Sequence, residues 1–364
     1  MSAIGARPPI IIYLPPGPIL PTTSSQNDEA VAHGLASQAA ATVVEIKYRL
    51  SKDLRWPNPI HDVLFGYDWI LRNLVPQRAI VRPGRSPSHD VRIGVFGELI
   101  GGGLAAMLAL TECHAVGPRV AAAVLNEPIV DWVFPEDAET EMASEEDQGR
   151  DLTPTKSQNR RPRPSSFHVN TGGLFPPSAL LLARRTLFRK PEHYFDPFAS
   201  PTLFFRSPGV PIPSGSFDEP LDEFAEIARA EQQDFYRQQM RLSALSGLSP
   251  SDWSESSVPT TAKTATRKSS RRYPRVGSGL KLPPFLLSCA QTSPLLDQVE
   301  EISSLMVRSI VRDIEDKGSE MQRQHAIERA ETDIVCDLDA ESSKLWTTGA
   351  RSLSGSVHWF RRHL

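Results

Sequence analysis

Between residues 91 and 111 the chain reads Val-Arg-Ile-Gly-Val-Phe, then Gly97-Glu98-Leu99-Ile100-Gly101-Gly102, then a run of small apolar residues from Gly103 to Thr111. The spacing predicts a strand, a tight turn and a helix. Glycine on either side of such a turn lets the helix approach the strand closely, and the middle residue is forced into a strained backbone with its side chain above the sheet. This elbow presents a serine nucleophile when the sequence is G-x-S-x-G. Here the middle residue is Leu99, which has no oxygen to attack a carbonyl and nothing for a base to deprotonate. A phosphate-cradling reading of the same glycines lacks both the following Lys-Ser/Thr and a G-x-G-x-x-G pattern. Glu98 could act as a catalytic carboxylate, but a structural role beside the turn fits better. His358, flanked by Trp359 and Phe360, reads by itself as an exposed histidine near the chain's end. Asp62, in Ile60-His61-Asp62-Val63, reads as an acid at a helix start, favoured by the helix dipole.

The rest of the composition narrows the classes. Net charge is −3 with 23% charged residues, which excludes a strongly basic nucleic-acid binder. Cys113, Cys289 and Cys336 are widely spaced without a C-x-x-C pair. That excludes a disulfide scaffold and a structural zinc cluster, and fits a reducing compartment, read as the cytoplasm. No metal or other cofactor is expected. No apolar run approaches 18 residues, so no transmembrane segment is expected, and the start lacks the pattern of a signal peptide. The 32 prolines among 364 residues imply much loop.

The elements that must hold the elbow come before and after it. Pro9–Leu14, Thr42–Tyr48, Asp90–Phe96 and Arg119–Asn126 are strand-like. A helix is expected over 27–41, and another over 58–74, where Ile60, Val63, Leu64, Tyr67, Ile70, Leu71 and Leu74 recur at helical spacing. This alternation predicts βαβ units and a parallel sheet. The pattern breaks at Glu136–Asp151, which is acidic, followed by the basic Lys156–Arg163. The whole reads as a solvated, disordered loop. Helical periodicity returns over 178–194 and 219–245, and residues 248–275 read as a flexible linker. The tracts Arg160–Pro164 and Arg267–Arg272 read as solvated basic loops. The α/β pattern resumes with a strand at 282–290, a helix at 294–317 and a last strand at 332–338. Residues 1–135 and 276–364 are thus expected to form the two halves of one core, with cap helices and inserts at 136–275.

Taken in order, several segments resemble the α/β-hydrolase fold-3 group, the esterases similar to hormone-sensitive lipase. They are IIYLPPGP, VVEIKYRLSKDLRWPNPIHDVLFGYDWI, GVFGELIGGGLAA, VAAAVLNEPIVDW, YFDPFASP, LPPFLLSCAQTSPLLDQ and GSVHWF. The resemblance implies a mostly parallel sheet flanked by helices, with a partly disordered cap. It places the family's nucleophile at Leu99, its acid at Ser293 and its histidine at His358. Asp297, four residues beyond Ser293, could move into the acid's place, but it fits better as the start or a face of the following helix. Pro15-Pro16-Gly17-Pro18 stands where the family has His-Gly-Gly-Gly. Gly17 and Ile100 keep N–H groups as oxyanion donors, and Pro18 has none. The first strand matches the family's third, and only six residues follow His358, which implies a missing closing helix.

The resemblance therefore implies an ester-hydrolase family member from which nucleophile, acid and one oxyanion donor are lost. The first reading is a pseudo-hydrolase that keeps the fold to bind a small hydrophobic ligand in the cap–sheet pocket, or a protein partner left unidentified. The second is an active carboxylic-ester hydrolase with a rearranged site.

Overall fold

The computed structural model describes residues 8–18, 25–51, 53–75, 92–134, 177–210, 270–315, 320–339, 345–349 and 351–364. Six parallel strands form one sheet in the order β2-β1-β3-β4-β5-β6. They are β1 (Ile10–Leu14), β2 (Thr42–Glu45), β3 (Arg92–Glu98), β4 (Arg119–Asn126), β5 (Phe285–Ala290) and β6 (Ile334–Asp339). Strand β1 is buried on both faces, which is why IIIYL is continuously apolar rather than alternating.

The two faces of the sheet carry separate cores. Ile10, Ile12, Leu14, Ile93 and Val95 point to one, together with α2 (Asn58–Asn73), α3 (Leu99–Thr111) and α5 (Leu296–Glu315). Ile11, Tyr13 and Phe96 point to the other, with α1 (Ser25–Ala39) and α7 (Ser354–His363). Two further helices are α4 (Pro177–Leu187) and α6 (Glu320–Asp333). The chain winds from β1 to β2 on one side and then to β3 on the other. The winding direction reverses between β1 and β3, and the crevice beyond the strand ends at such a switch is where ligands bind in open α/β sheets. The elbow after β3 stands at that point.

The structure differs from the sequence reading in three places. Residues expected to lack a closing helix form one, α7. Leu353, Val357, Phe360 and Leu364 recur at helical spacing and pack on the sheet. Helix α6 forms where the sequence shows no helical period, because Ala326 and Ala330 supply its buried face and give little periodic signal. At the end of the expected linker, residues 270–275 are packed rather than free. Ser270 bridges to Arg206, and the Tyr273 hydroxyl donates to the Leu110 carbonyl at 2.7 Å. Residues 136–176 and 219–269, with the expected acidic and basic loops and the charged helix, lie outside the described residues.

Candidate functional site

The elbow geometry is intact. Strand β3 passes into α3 without a gap, and Leu99 has φ +50°. A leucine in the left-handed region costs on the order of 1–3 kcal/mol and persists only where the surroundings impose it. What imposes it is the approach of helix to strand. A Cβ on Gly97 would lie 2.4 Å from the Gly101 carbonyl oxygen, and one on Gly101 would lie 2.1 Å from that of Pro15. Both positions need glycine. The side chain held at the elbow has no solvent-accessible surface, since Leu99 is 0% exposed and part of the core.

In the oxyanion region the elbow's own donor is engaged. The Ile100 N–H donates to the Pro16 carbonyl at 3.3 Å. Gly17 follows with φ +77°, and the Tyr48 hydroxyl ties the loop down by donating to the Pro15 carbonyl at 2.7 Å. The one donor contributed by the elbow is thus engaged by the loop that would have supplied the others.

Ser293 lies in the turn after β5 and is buried. Its hydroxyl donates to a carboxylate, that of Glu127, and accepts from the Leu295 N–H at 3.2 Å. Glu127 leaves the end of β4 with φ +47°. It also accepts from the Ala290 N–H at 2.9 Å and the Cys289 thiol at 3.3 Å. An acid does occupy this corner, but it comes from the neighbouring strand. Sequence reasoning missed it, and only its place before Pro128, at the end of a buried strand, could have drawn attention to it. Burial pushes the Cys289 thiol up, so it is no ready thiolate. Burial holds Cys113 up at about 12 and Cys336 at about 11. Asp297 sits in the first turn of α5, and Asp62 pairs with Arg49 at 2.7 Å.

His358 is not brought to the elbow. It is on the exposed side of α7, whose Val357 and Phe360 pack on the sheet face opposite α3. The connection that does reach the elbow is 345–347, where Leu345, Trp346 and Thr347 are buried. The whole stretch 340–353, between β6 and α7, contains no histidine.

Glu98 fixes that connection. It is fully buried and accepts from the Trp346 N–H at 2.5 Å, the Thr347 N–H at 3.3 Å, the Thr347 hydroxyl at 2.9 Å and the Asn126 amide at 3.0 Å. Burial raises its pKa, and these four donors oppose the rise. Trp346 in turn stacks on Phe96, with ring centroids 4.0 Å apart.

Above the elbow helix lies a cleft lined by Leu50, Trp56, Ile100, Leu104, Trp132 and Phe188 among others, all apolar. Its volume is about 20 Å3, room for roughly one water. The segment that contributes Trp132 to it is tied down by buried polar contacts. Buried Arg206 pairs with Asp131 and, at 2.8 Å, with Glu301, and Ser200 Oγ accepts from the Trp132 N–H at 2.9 Å.

A parallel sheet with helices on both faces and a left-handed elbow after its central strand is the α/β-hydrolase fold. A family model described as alpha/beta hydrolase fold matches residues 19–167, roughly two fifths of the chain. Among solved structures, the chain is similar to a hyperthermophilic esterase from the archaeon Pyrobaculum calidifontis, at 17% identity and TM-score 0.48, covering 98% of this chain and 74% of that one. It is also similar to carboxyl esterase 2 of the mycorrhizal fungus Tuber melanosporum, at 12% identity and TM-score 0.48, covering 98% and 77%. A third is an esterase of the bacterial hormone-sensitive lipase family, at 15% identity and TM-score 0.46, covering 99% and 79%. No curated protein matches the chain. Among the described residues, no helix is long and apolar enough to cross a membrane.

Proposed function

We propose that this chain is a pseudo-hydrolase, an α/β-hydrolase-fold protein of the cytoplasm that acts by binding rather than by cleaving esters. One observation carries the reading: the elbow residue is a buried leucine. Covalent acyl transfer needs a nucleophile at that point, a base beside it and donors for the developing oxyanion. Leu99 supplies no oxygen, the 340–353 connection supplies no histidine, and the Ile100 N–H is bonded to Pro16. The apolar lining of the cleft suits a small hydrophobic ligand, which would enter by displacing side chains of that lining.

The competing reading, an active carboxylic-ester hydrolase with a rearranged site, has one observation in its favour, the Ser293–Glu127 pair. Incubating the full chain with p-nitrophenyl butyrate and with a fluorophosphonate probe separates the two. The pseudo-hydrolase gives no turnover above buffer and no labelled residue. Turnover that is lost on Ser293→Ala, or label mapped to Ser293 by mass spectrometry, overturns it. Binding is read separately, from quenching of Trp56 and Trp132 fluorescence by a medium-chain fatty acid, and Leu104→Trp should abolish the response by filling the cleft.

A further inference from the structure

The opposite ends of the strands carry a second concave surface that the elbow does not explain. Two adjoining hollows of about 400 and 270 Å3 share Lys281, Leu282, Arg329 and Asp333 in their walls. Arg272 and Arg275 line the first, and Arg92 and Arg119 the second. Six cationic side chains therefore surround one carboxylate, Asp333, which is itself paired with Arg329 at 3.4 Å. The whole chain carries net charge −3, so this concentration is not its general background.

The surface is built on ordered backbone. Arg92 and Arg119 begin β3 and β4. The loop bearing Lys281 is stitched to the loop before β4, with the Lys281 N–H donating to the Cys113 carbonyl at 2.8 Å and the Ala115 N–H to that of Gly279 at 2.7 Å. His363 lines the second hollow, and its Nε2 makes no hydrogen bond among the described residues. Seven residues of β3 at about 3.3 Å each put this surface roughly 20 Å from the elbow.

We propose that this cleft binds a multiply charged phosphate anion, with adjacent phosphoryl groups spanning the two hollows. Guanidinium groups match phosphate oxygens in pairs, and like charges gathered in a concave wall focus the field on an anion. The anion is either free or carried on a lipid headgroup. Exposed Val116 and Val276 on the two stitched loops stand ready to meet an apolar surface in the second case.

The test uses the full chain and two probes, inorganic tripolyphosphate by titration calorimetry and phosphatidylcholine vesicles carrying phosphatidylinositol bisphosphate by sedimentation. Saturable binding is expected to weaken about tenfold or more in Lys281→Glu and Arg92→Glu, and to fall with added salt. Lys281→Gln and Arg92→Gln, milder changes at exposed sites, should weaken it in the same direction if a reversal impairs folding. Lys47→Glu, at the other end of the sheet, should leave it within about twofold. Binding to either probe with this pattern supports the proposal, and the probe that binds identifies the source. The proposal is overturned if neither probe binds, or if Lys47→Glu weakens binding as much as the cleft variants do.

Discussion

The amide of Ile100 donates to the carbonyl of Pro16 across 3.3 Å, so the N–H next to the elbow residue is already satisfied from within the chain. In a working site that amide would point at the oxyanion of a tetrahedral intermediate. The loop after β1 packs directly on the turn.

Restoring the missing hydroxyl should therefore not restore catalysis. Leu99→Ser is expected to show no esterase turnover above buffer and no fluorophosphonate label. A single donor is worth about 10²–10³ in rate, and here the elbow's donor is engaged by Pro16 and the 340–353 connection offers no histidine. A label mapped to position 99 in that variant would refute the account.

The strain at Leu99 predicts an inverted order of stability. Removing the buried side chain in Leu99→Ala should cost about 2–4 kcal/mol. Leu99→Gly removes one carbon more, yet releases the left-handed backbone, worth about 1 kcal/mol. Urea unfolding should find the glycine variant at least as stable as the alanine variant. A clearly less stable glycine variant would mean the turn is not strained.

Glu98 predicts a pH effect. Its folded pKa is raised, so between the ordinary carboxyl range and that higher value the unfolded chain gives up the proton first. Stability should fall as pH rises through that window. In Glu98→Gln the slope should be shallower than in the wild type. That variant should also be about 1–3 kcal/mol less stable, because an amide cannot accept all four donors. Parallel slopes for the two proteins from urea midpoints at several pH values would contradict this.

Arg206→Met should destabilise by about 3–5 kcal/mol, because it strands the Asp131 carboxylate in the interior. The double change Arg206→Met with Asp131→Leu should recover much of the loss, as a double-mutant cycle would show. Full additivity of the two single losses would speak against a coupled pair.

His358→Ala should leave the unfolding midpoint and any ligand response unchanged, since the ring is exposed on α7. A loss of activity on this substitution would restore the histidine to the site and sink the pseudo-hydrolase reading.

The sequence by itself determined the parallel sheet, the elbow and the leucine at its centre. Strand-like runs such as IIIYL and the glycines around Leu99 act locally, through burial on both faces and through contacts only glycine allows. The identity of residue 99 needs no coordinates to exclude a serine mechanism there. Tertiary structure decided the rest, because it rests on which distant segments meet. His358 lies in a segment similar to a histidine loop, but the helical spacing of Leu353, Val357, Phe360 and Leu364 is satisfied only against the far face of the sheet, and that packing carries the imidazole away. The acid corner is filled by Glu127 from the end of β4, a pairing across more than 160 residues that no local pattern encodes. The basic cleft likewise gathers Arg92, Arg119 and Arg329, together with Arg272, Arg275 and Lys281 of the connection before β5, from four separate stretches, each ordinary where it stands in the chain.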